Sequence, residues 1–370
     1  MKALTVASAA LAGLTMSTSL TLAGPEVVSG PGADPACFAP GSEDVSYFQW
    51  PATEGPYKIA LVNGFIANDW RVQMIAVAKA YAEQPDVAAE LEEFKVISVG
   101  EDIAAQIAAA NNFIDQGFDA IIINANNTAA FGSVVRKAND ANVAVLSFDN
   151  VIDDPMQIAI NVDQEGLGRA AAEFLLSQTD ANPATFLHVR GPAGQPVDIA
   201  RNTGFNAVLA ASGRTVNVVD VVGNWAPGDA QKVTADAIAA GGVFDGMYVQ
   251  GGSQGATTAL LDSGHPMIPI TGETENAFRQ LCNDEGLTCQ SGGTGPAQSS
   301  VTVKTALAVL HGEIVPQQIA LPTSISYSPF VVGTDVFPEL PGSFFAGNNF
   351  EACNIGFTSE EIASQTGENN

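Results

Sequence analysis

Several short stretches of this chain carry side chains able to bind or transform a small polar molecule. Asn68-Asp69-Trp70-Arg71 combines an amide, an indole and a guanidinium, Asp149-Asn150 pairs a carboxylate with an amide, and Arg201, Trp225 and Glu273 stand singly. An aromatic face packs against the C–H face of a sugar ring, Arg donates paired hydrogen bonds to hydroxyls, and a carboxylate accepts from them. A different chemistry is suggested by Gly251-Gly252-Ser253-Gln254-Gly255, which matches the Gly-x-Ser-x-Gly pattern of a nucleophile elbow between strand and helix. A serine hydrolase built on it needs an acid and then a histidine later in the chain. Only His265 and His311 follow Ser253, the first too near in sequence for the usual order and the second beside Gly312 at a helix end. Each group also has a plain structural reading: Asp and Asn are ordinary strand-end turn residues, Trp70 an ordinary core residue, and the glycine cluster an ordinary strand-to-helix turn.

The elements that position these groups show a clear pattern. From Tyr57 onward short apolar runs alternate with helical patterns, the signature of a parallel α/β sheet with crossover helices. Strands are expected at Lys58–Val62, Lys95–Val99, Ala120–Asn124, Ala144–Phe148, Ile158–Ile160, Thr185–Val189, Val216–Val222, Gly246–Gln250, Met267–Thr271 and near Ile319. Between them, Ile103, Ile107, Ala110 and Ile114 fall on one helix face, and Gly117 supplies the left-handed cap that ends that helix. An internal echo is present: Gln116-Gly-Phe-Asp-Ala-Ile121 recurs as Gly242-Val-Phe-Asp-Gly-Met247, each at the third strand of its own run. Two similar Rossmann-like lobes with parallel sheets, joined by a multi-crossing hinge with a ligand cleft between them, produce such an echo. The expected division is 57–162 plus 295–325 for the N-terminal lobe and 163–294 plus 326–340 for the C-terminal lobe, with the helix Ala297–Leu310 returning the chain to the first. Ligands of open parallel sheets bind beyond the carboxyl ends of the strands. The candidate residues from both lobes share that position.

Composition narrows the setting. Met1 and Lys2 followed by the uncharged, apolar Ala3–Ala23 read as a secretory signal peptide cleaved before Gly24, with an uncleaved membrane anchor as the alternative. Pro25 stands where a bacterial lipoprotein needs an acylated cysteine, so export without lipidation into a periplasm is expected, with no stable membrane insertion after cleavage. A net charge of -26 repels phosphate backbones and anionic lipid, which makes nucleic acid a poor partner. The G-x-G-x-x-G order of a dinucleotide site is absent, and His188, His265 and His311 are widely separated, so neither a cofactor nor a metal is expected. Four cysteines in an exported chain favour disulfides, with Cys282–Cys289 and Cys37–Cys353 the preferred pairing of three. The end segments 24–56 and 341–370, rich in Gly, Pro, Ser and acids, are expected to be an extension and a tail, loosely structured and pinned at their cysteines.

From about Tyr57 to Val331 the chain resembles the ribose-type periplasmic binding proteins of sugar ABC importers. The resemblance rests on Lys58-Ile-Ala-Leu-Val62 with Asn68-Asp-Trp-Arg71, the segment 116–124, Val143–Asp149 and Arg201-Asn-Thr-Gly-Phe205, in that order. It implies that Asn68, Trp70 and Asp149 contact a sugar or sugar-like polyol from the first lobe and Arg201, Trp225 and Glu273 from the second. Arg71, Asn150, Gly251 and Thr294 complete the candidate set. It further implies a monomer that closes on its ligand and presents it to an inner-membrane permease, a sensory receptor being the alternative recipient. Departures stand at the pocket itself: Asp149-Asn150 where an Asp-Arg pair is common, Gly251-Gly252 where Asn-Asp is common, and Glu273 in place of an Asp.

Overall fold

Fully buried runs such as Ala120–Asn124 and Ala144–Phe148 have no polar face to turn to water, and they lie where helices cover both sides of a sheet. The computed structural model describes residues 24–66 and 68–370, so the expected signal peptide lies outside the described residues. Its strands are β1 Glu26–Val28, β2 Tyr47–Gln49, β3 Tyr57–Asn63, β4 Leu91–Ser98, β5 Ala120–Asn124, β6 Ala144–Phe148, β7 Ile158–Val162 and β8 Ala184–Arg190. There follow β9 Val216–Val222, β10 Gly246–Val249, β11 Ile270–Gly272, β12 Cys289–Gly293, β13 Val315–Pro316, β14 Gln318–Leu321 and β15 Ser324–Tyr327. One six-stranded sheet has the order β14-β7-β6-β5-β3-β4 and is parallel throughout. The other has the order β15-β12-β11-β10-β8-β9, with only β15 antiparallel.

The chain passes from the first sheet to the second after β7, returns after β12 through the helix Gln298–Leu310, and passes across once more between β14 and β15. The sequence echo has a structural counterpart. Asp119 Oδ2 accepts from the Lys58 N–H at 2.7 Å just before β5, and Asp245 Oδ2 accepts from the Thr185 N–H at 2.8 Å just before β10. In each lobe this carboxylate sets the register of the third strand against the first. Gly117, at φ 74°, ends the helix Ile103–Asp115 as expected.

The largest shifts of an element edge are at β4 and β11. β4 begins at Leu91, ahead of the expected Lys95, because Glu92 and Glu93 lie at a partly exposed sheet edge and hide the apolar alternation. β11 begins at Ile270, not Met267, since Pro266 and Pro269 lack the N–H that pairing requires.

The end segments are packed, correcting the expectation of loose tails. β1 and β2 pair with each other and β2 with β13, and Phe38, Phe48 and Trp50 are buried in the core of the first lobe. From the other end Phe345, Phe350, Ile355 and Ile362 join the same core. These apolar residues are scattered among Gly, Pro and Ser with neither a strand nor a helix period, which is why no local pattern announces them. Cys37–Cys353 and Cys282–Cys289 form the two disulfides, the pairing preferred from sequence. Among the described residues no helix is long and apolar enough to cross a membrane.

The Cys37–Cys353 bridge spans 316 residues and Cys282–Cys289 spans 7. Cross-links restrain the unfolded chain more as the closed loop lengthens, so Cys37→Ser with Cys353→Ser should cost about 2–5 kcal/mol in urea unfolding, and Cys282→Ser with Cys289→Ser less.

Candidate ligand-binding cleft

The carboxyl ends of the two sheets face one another across a cavity of ≈ 40 Å³. From the first lobe, Asn68 caps the helix Asp69–Ala82, its Oδ1 accepting from the Arg71 N–H at 2.9 Å. That cap orients the first turn so that Trp70 and Arg71 both line the cavity. The Trp70 indole N–H donates to the Thr294 carbonyl at 2.8 Å, tying this helix to the segment just after β12. Arg71 is only 1 % exposed, which rules out a solvated surface residue. Its Nη1 donates to Asn63 Oδ1 at 2.6 Å and its guanidinium lies 4.4 Å over the Phe65 ring, while Nη2 has no partner in the protein. Burial lowers its pKa to about 10, against the opposing pull of Asp149.

Asp149 follows β6 in the left-handed region, at φ 58°, which aims its carboxylate into the cavity. Its Oδ2 accepts from Asn150 Nδ2 at 2.7 Å and Asn124 Nδ2 at 3.3 Å. Burial raises its pKa, and the charges of Arg71 and Arg201 pull it back. Arg71, from another element, lines the same cavity as this carboxylate and brings the guanidinium charge that position 150 does not. Asn150 is the one candidate that does not line the cavity. It holds Asp149, and its Oδ1 accepts from the Val197 N–H at 3.4 Å, a contact with the second lobe.

From the second lobe, Arg201 projects from the helix Pro196–Ala211. Its Nε donates to Gln164 Oε1 at 2.9 Å, and its Nη1 donates to the Gln250 carbonyl at 2.8 Å and to the Glu273 carboxylate. Burial pushes the Arg201 pKa down, but Glu273, Tyr248 and Asp149 together carry it up. Burial raises that of Glu273, with Arg201 opposing, and Glu273 Oε2 has no hydrogen-bond partner in the protein. Trp225 follows β9 at φ 55°, directly after Asn224 at φ 54°. Two consecutive non-glycine residues in that region are costly and mark a position the surroundings enforce. Gly191 and Gly251 make the room: a Cβ would fall 2.1 Å and 2.8 Å from the indole. Across the cleft, Trp225 stacks on Phe65 with ring centroids 6.5 Å apart, while its own N–H is unpartnered.

The glycine cluster after β10 has packing reasons throughout. Gly251 accommodates the indole, Gly252 sits at φ 74°, and a Cβ on Gly255 would lie 1.8 Å from the Pro227 carbonyl. Ser253 is fully buried, and its Oγ accepts from the Glu273 N–H at 2.9 Å. His265 bonds to the Phe244 N–H and the Pro266 carbonyl, and His311 pairs with Glu90. The motif thus builds a wall of the cleft.

Val197, Gln250, Glu275 and Phe345 also line the cavity without having been singled out. The strand-end rule reaches Gln250 and, two residues past Glu273, Glu275; Val197 and Phe345 carry no such signal. Glu275 accepts from the Gly252, Ser253 and Gln254 N–H groups at 2.6, 3.0 and 2.9 Å, capping the helix Ser253–Asp262 from a distant loop. Burial nevertheless raises its pKa to about 7.

Two parallel-sheet lobes, joined by a multi-crossing hinge and facing each other over a buried cleft of aromatic and charged groups, define a two-lobed solute-binding architecture. Residues 59–314 match the family of the periplasmic binding protein domain, and the chain belongs to that family. It is 23% identical over 271 residues to a D-ribose/D-allose-binding protein of Pseudomonas aeruginosa, covering 69% of this chain and 83% of that one. It is 25% identical over 179 residues to a xylitol-binding protein of Mycolicibacterium smegmatis, a match spanning 47% of this chain and only 51%, about half, of that relative's length. Among solved structures, an ABC transporter solute-binding protein of Thermobispora bispora superposes with a TM-score of 0.68 at 27% identity, over 72% of this chain and 84% of that one.

Two outcomes test this geometry. Gly191→Ala should displace the Trp225 indole, read as a change in its fluorescence, and destabilise by about 1–3 kcal/mol as overpacking does. A carboxyl whose folded pKa lies above its unfolded value adds stability at low pH and loses it as pH rises through the folded pKa. For Glu275 the window runs from 4.5 to about 7, and Asp149 and Glu273 shift the same way. Stability should fall across that window, and Glu275→Gln should remove part of the slope, at most ~1.4 kcal/mol per pH unit for one proton. Parallel curves for variant and parent in urea unfolding would contradict the assignment.

Proposed function

We propose that this chain is a periplasmic solute-binding protein that captures a sugar or sugar-like polyol between its lobes and delivers it to an ABC import permease. The observation that carries this reading is one buried cavity holding two indole faces, the Asp149 carboxylate, and four residues with polar atoms unpartnered in the protein. Those atoms are Arg71 Nη2, Glu273 Oε2, Trp225 Nε1 and Gln250 Oε1. Leaving a buried polar group unpaired costs about 1–3 kcal/mol, so the cleft favours a ligand that brings donors and acceptors on one compact frame. A polyhydroxylated ring or chain does so, and its C–H faces suit the indoles of Trp70 and Trp225. The relatives named for xylitol and for ribose and allose bind molecules of this kind, which supports the reading.

Asp149 accepts from ligand hydroxyls and Arg71 donates to them from the first lobe, while Arg201 and Glu273 complete the set from the second. Because half of the contacts come from each lobe, only the closed form satisfies the ligand, and binding shifts an open–closed equilibrium toward it. We assign residues 57–162 with 295–323 to the first lobe and 163–294 with 324–340 to the second, following the sheet each strand joins; the last boundary lies two residues ahead of the expected one because all of β15 pairs with β12. The task is capture without turnover: Ser253 spends its Oγ on the Glu273 backbone and its N–H on Glu275. Export on the segment 1–23, a periplasmic location and action as a monomer belong to the same reading.

Thermal unfolding of the mature protein against pentoses, hexoses, furanose forms, polyols and amino acids tests it directly. Ligand at about 100 times its dissociation constant stabilises by roughly 2.7 kcal/mol. A shift with one sugar or polyol is expected, and Asp149→Ala and Trp225→Ala should each weaken that ligand by about 2 kcal/mol, roughly 30-fold in Kd. A shift given only by an amino acid, or unchanged affinity in both variants, would overturn the proposal.

A further inference from the structure

The segment Pro341–Asn348 lies outside the matched family region and crosses the mouth of the cleft. On its second-lobe side, the Asn276 N–H donates to the Phe344 carbonyl at 2.8 Å, the Ala277 N–H to the Gly342 carbonyl at 3.0 Å, and the Ala346 N–H to the Thr274 carbonyl at 3.1 Å. On its first-lobe side, Gln73 holds Phe345 at both ends: Oε1 accepts from its N–H and Nε2 donates to its carbonyl, each at 2.8 Å. Further along, Cys353 fastens the chain to Cys37 in the first lobe. Approach to the hinge is close enough that a Cβ on Gly295 would lie 1.7 Å from the Gly347 carbonyl.

Phe345, buried between these anchors, lines the cleft together with Trp70 and Trp225. A second cavity of ≈ 410 Å³ lies against the same wall, shares Trp225, Glu275 and Phe345 with the first, and has polar Asp69, Gln254 and Ser343 as well as Pro227 and Ala277 in its lining. Three side chains therefore divide two spaces.

We propose that this C-terminal strap is a ligand-size filter, in which Phe345 is the third aromatic wall and restricts the cleft to a single sugar ring or a polyol of that size. The inference rests on the sugar-binding reading and adds to it the residue that sets specificity. A glycoside or disaccharide needs its second unit where the Phe345 ring stands. Removing that ring joins the cleft to the outer cavity, whose Asp69, Gln254 and Ser343 offer hydrogen bonds to further hydroxyls. The backbone hydrogen bonds to both lobes keep the ring from swinging aside.

The test is calorimetric titration of the mature chain and of Phe345→Ala, Phe345→Leu and Gln73→Ala with three probes: the sugar or polyol giving the largest thermal shift, methyl glycosides, and disaccharides. Phe345→Ala should bind the single-unit ligand about tenfold or more weakly and gain measurable affinity for a glycoside or disaccharide, with Phe345→Leu in between and Gln73→Ala shifted the same way. Affinities and ligand range in Phe345→Ala unchanged within about twofold would overturn the filter. A readout without ligand separates this from failure of the sugar reading. The chain has three tryptophans, and Trp50 is buried outside the cleft, so acrylamide quenching of the remaining two reports on the wall. Quenching should rise roughly twofold in Phe345→Ala if the strap seals the cleft against local opening, and unchanged quenching would overturn it. A parent protein that binds no carbohydrate would sink the sugar reading alone, leaving the strap to be decided by quenching.

Discussion

Arg201 and Glu273 form a buried ion pair, and the second wall of the cleft is organised around the cost of keeping it there. Removing two charges from water is expensive unless the geometry and the surrounding hydrogen bonds compensate. Here the compensation comes from three directions: Gln164 at the start of one helix, the carbonyl of Gln250 at the end of β10, and Glu273 at the end of β11. The guanidinium thereby locks four elements at their cavity-facing ends. Because the pair is satisfied on one side only, Glu273 Oε2 remains unpartnered in the protein.

The first lobe solves the matching problem with different residues. Its guanidinium, Arg71, stands on the helix after β3, fixed by Asn63 and lying over Phe65, and Phe65 in turn stacks on Trp225 of the opposite lobe. The two lobes share a framework, as the register-setting Asp119 and Asp245 demonstrate, but not a site. A common strand–helix unit brings each set of side chains to the carboxyl edge, and which side chains stand there differs between the copies.

Contacts across the cleft are few and specific: Trp70 to Thr294, Asn150 to Val197, and Phe65 against Trp225. That economy fits a hinge, since a large apolar interface would hold the lobes shut. The C-terminal segment is the exception, because it bonds to both lobes and is covalently anchored to one.

Much of this was legible before any coordinates. Apolar runs alternating with helical periods specify a parallel α/β sheet, the repeated Phe-Asp segment implies two copies of one unit, and the rule that ligands meet such sheets at strand ends selects Asp149, Arg201, Trp225 and Glu273. The sheets and the repeated unit hold because they rest on local periodicity and chain connectivity, and the four selected residues line one cavity. Tertiary structure alone decided what depends on long-range proximity. Asn150 turned to support Asp149 instead of lining the cavity, Arg71 supplied the guanidinium that position 150 lacks, and Gly251 served the Trp225 indole and not a nucleophile. Phe345, 272 residues from its partner Gln73, reached the cleft from a segment with no period at all. No local pattern encodes such a contact, because its stabilisation arises only once two distant parts of the chain are packed against each other.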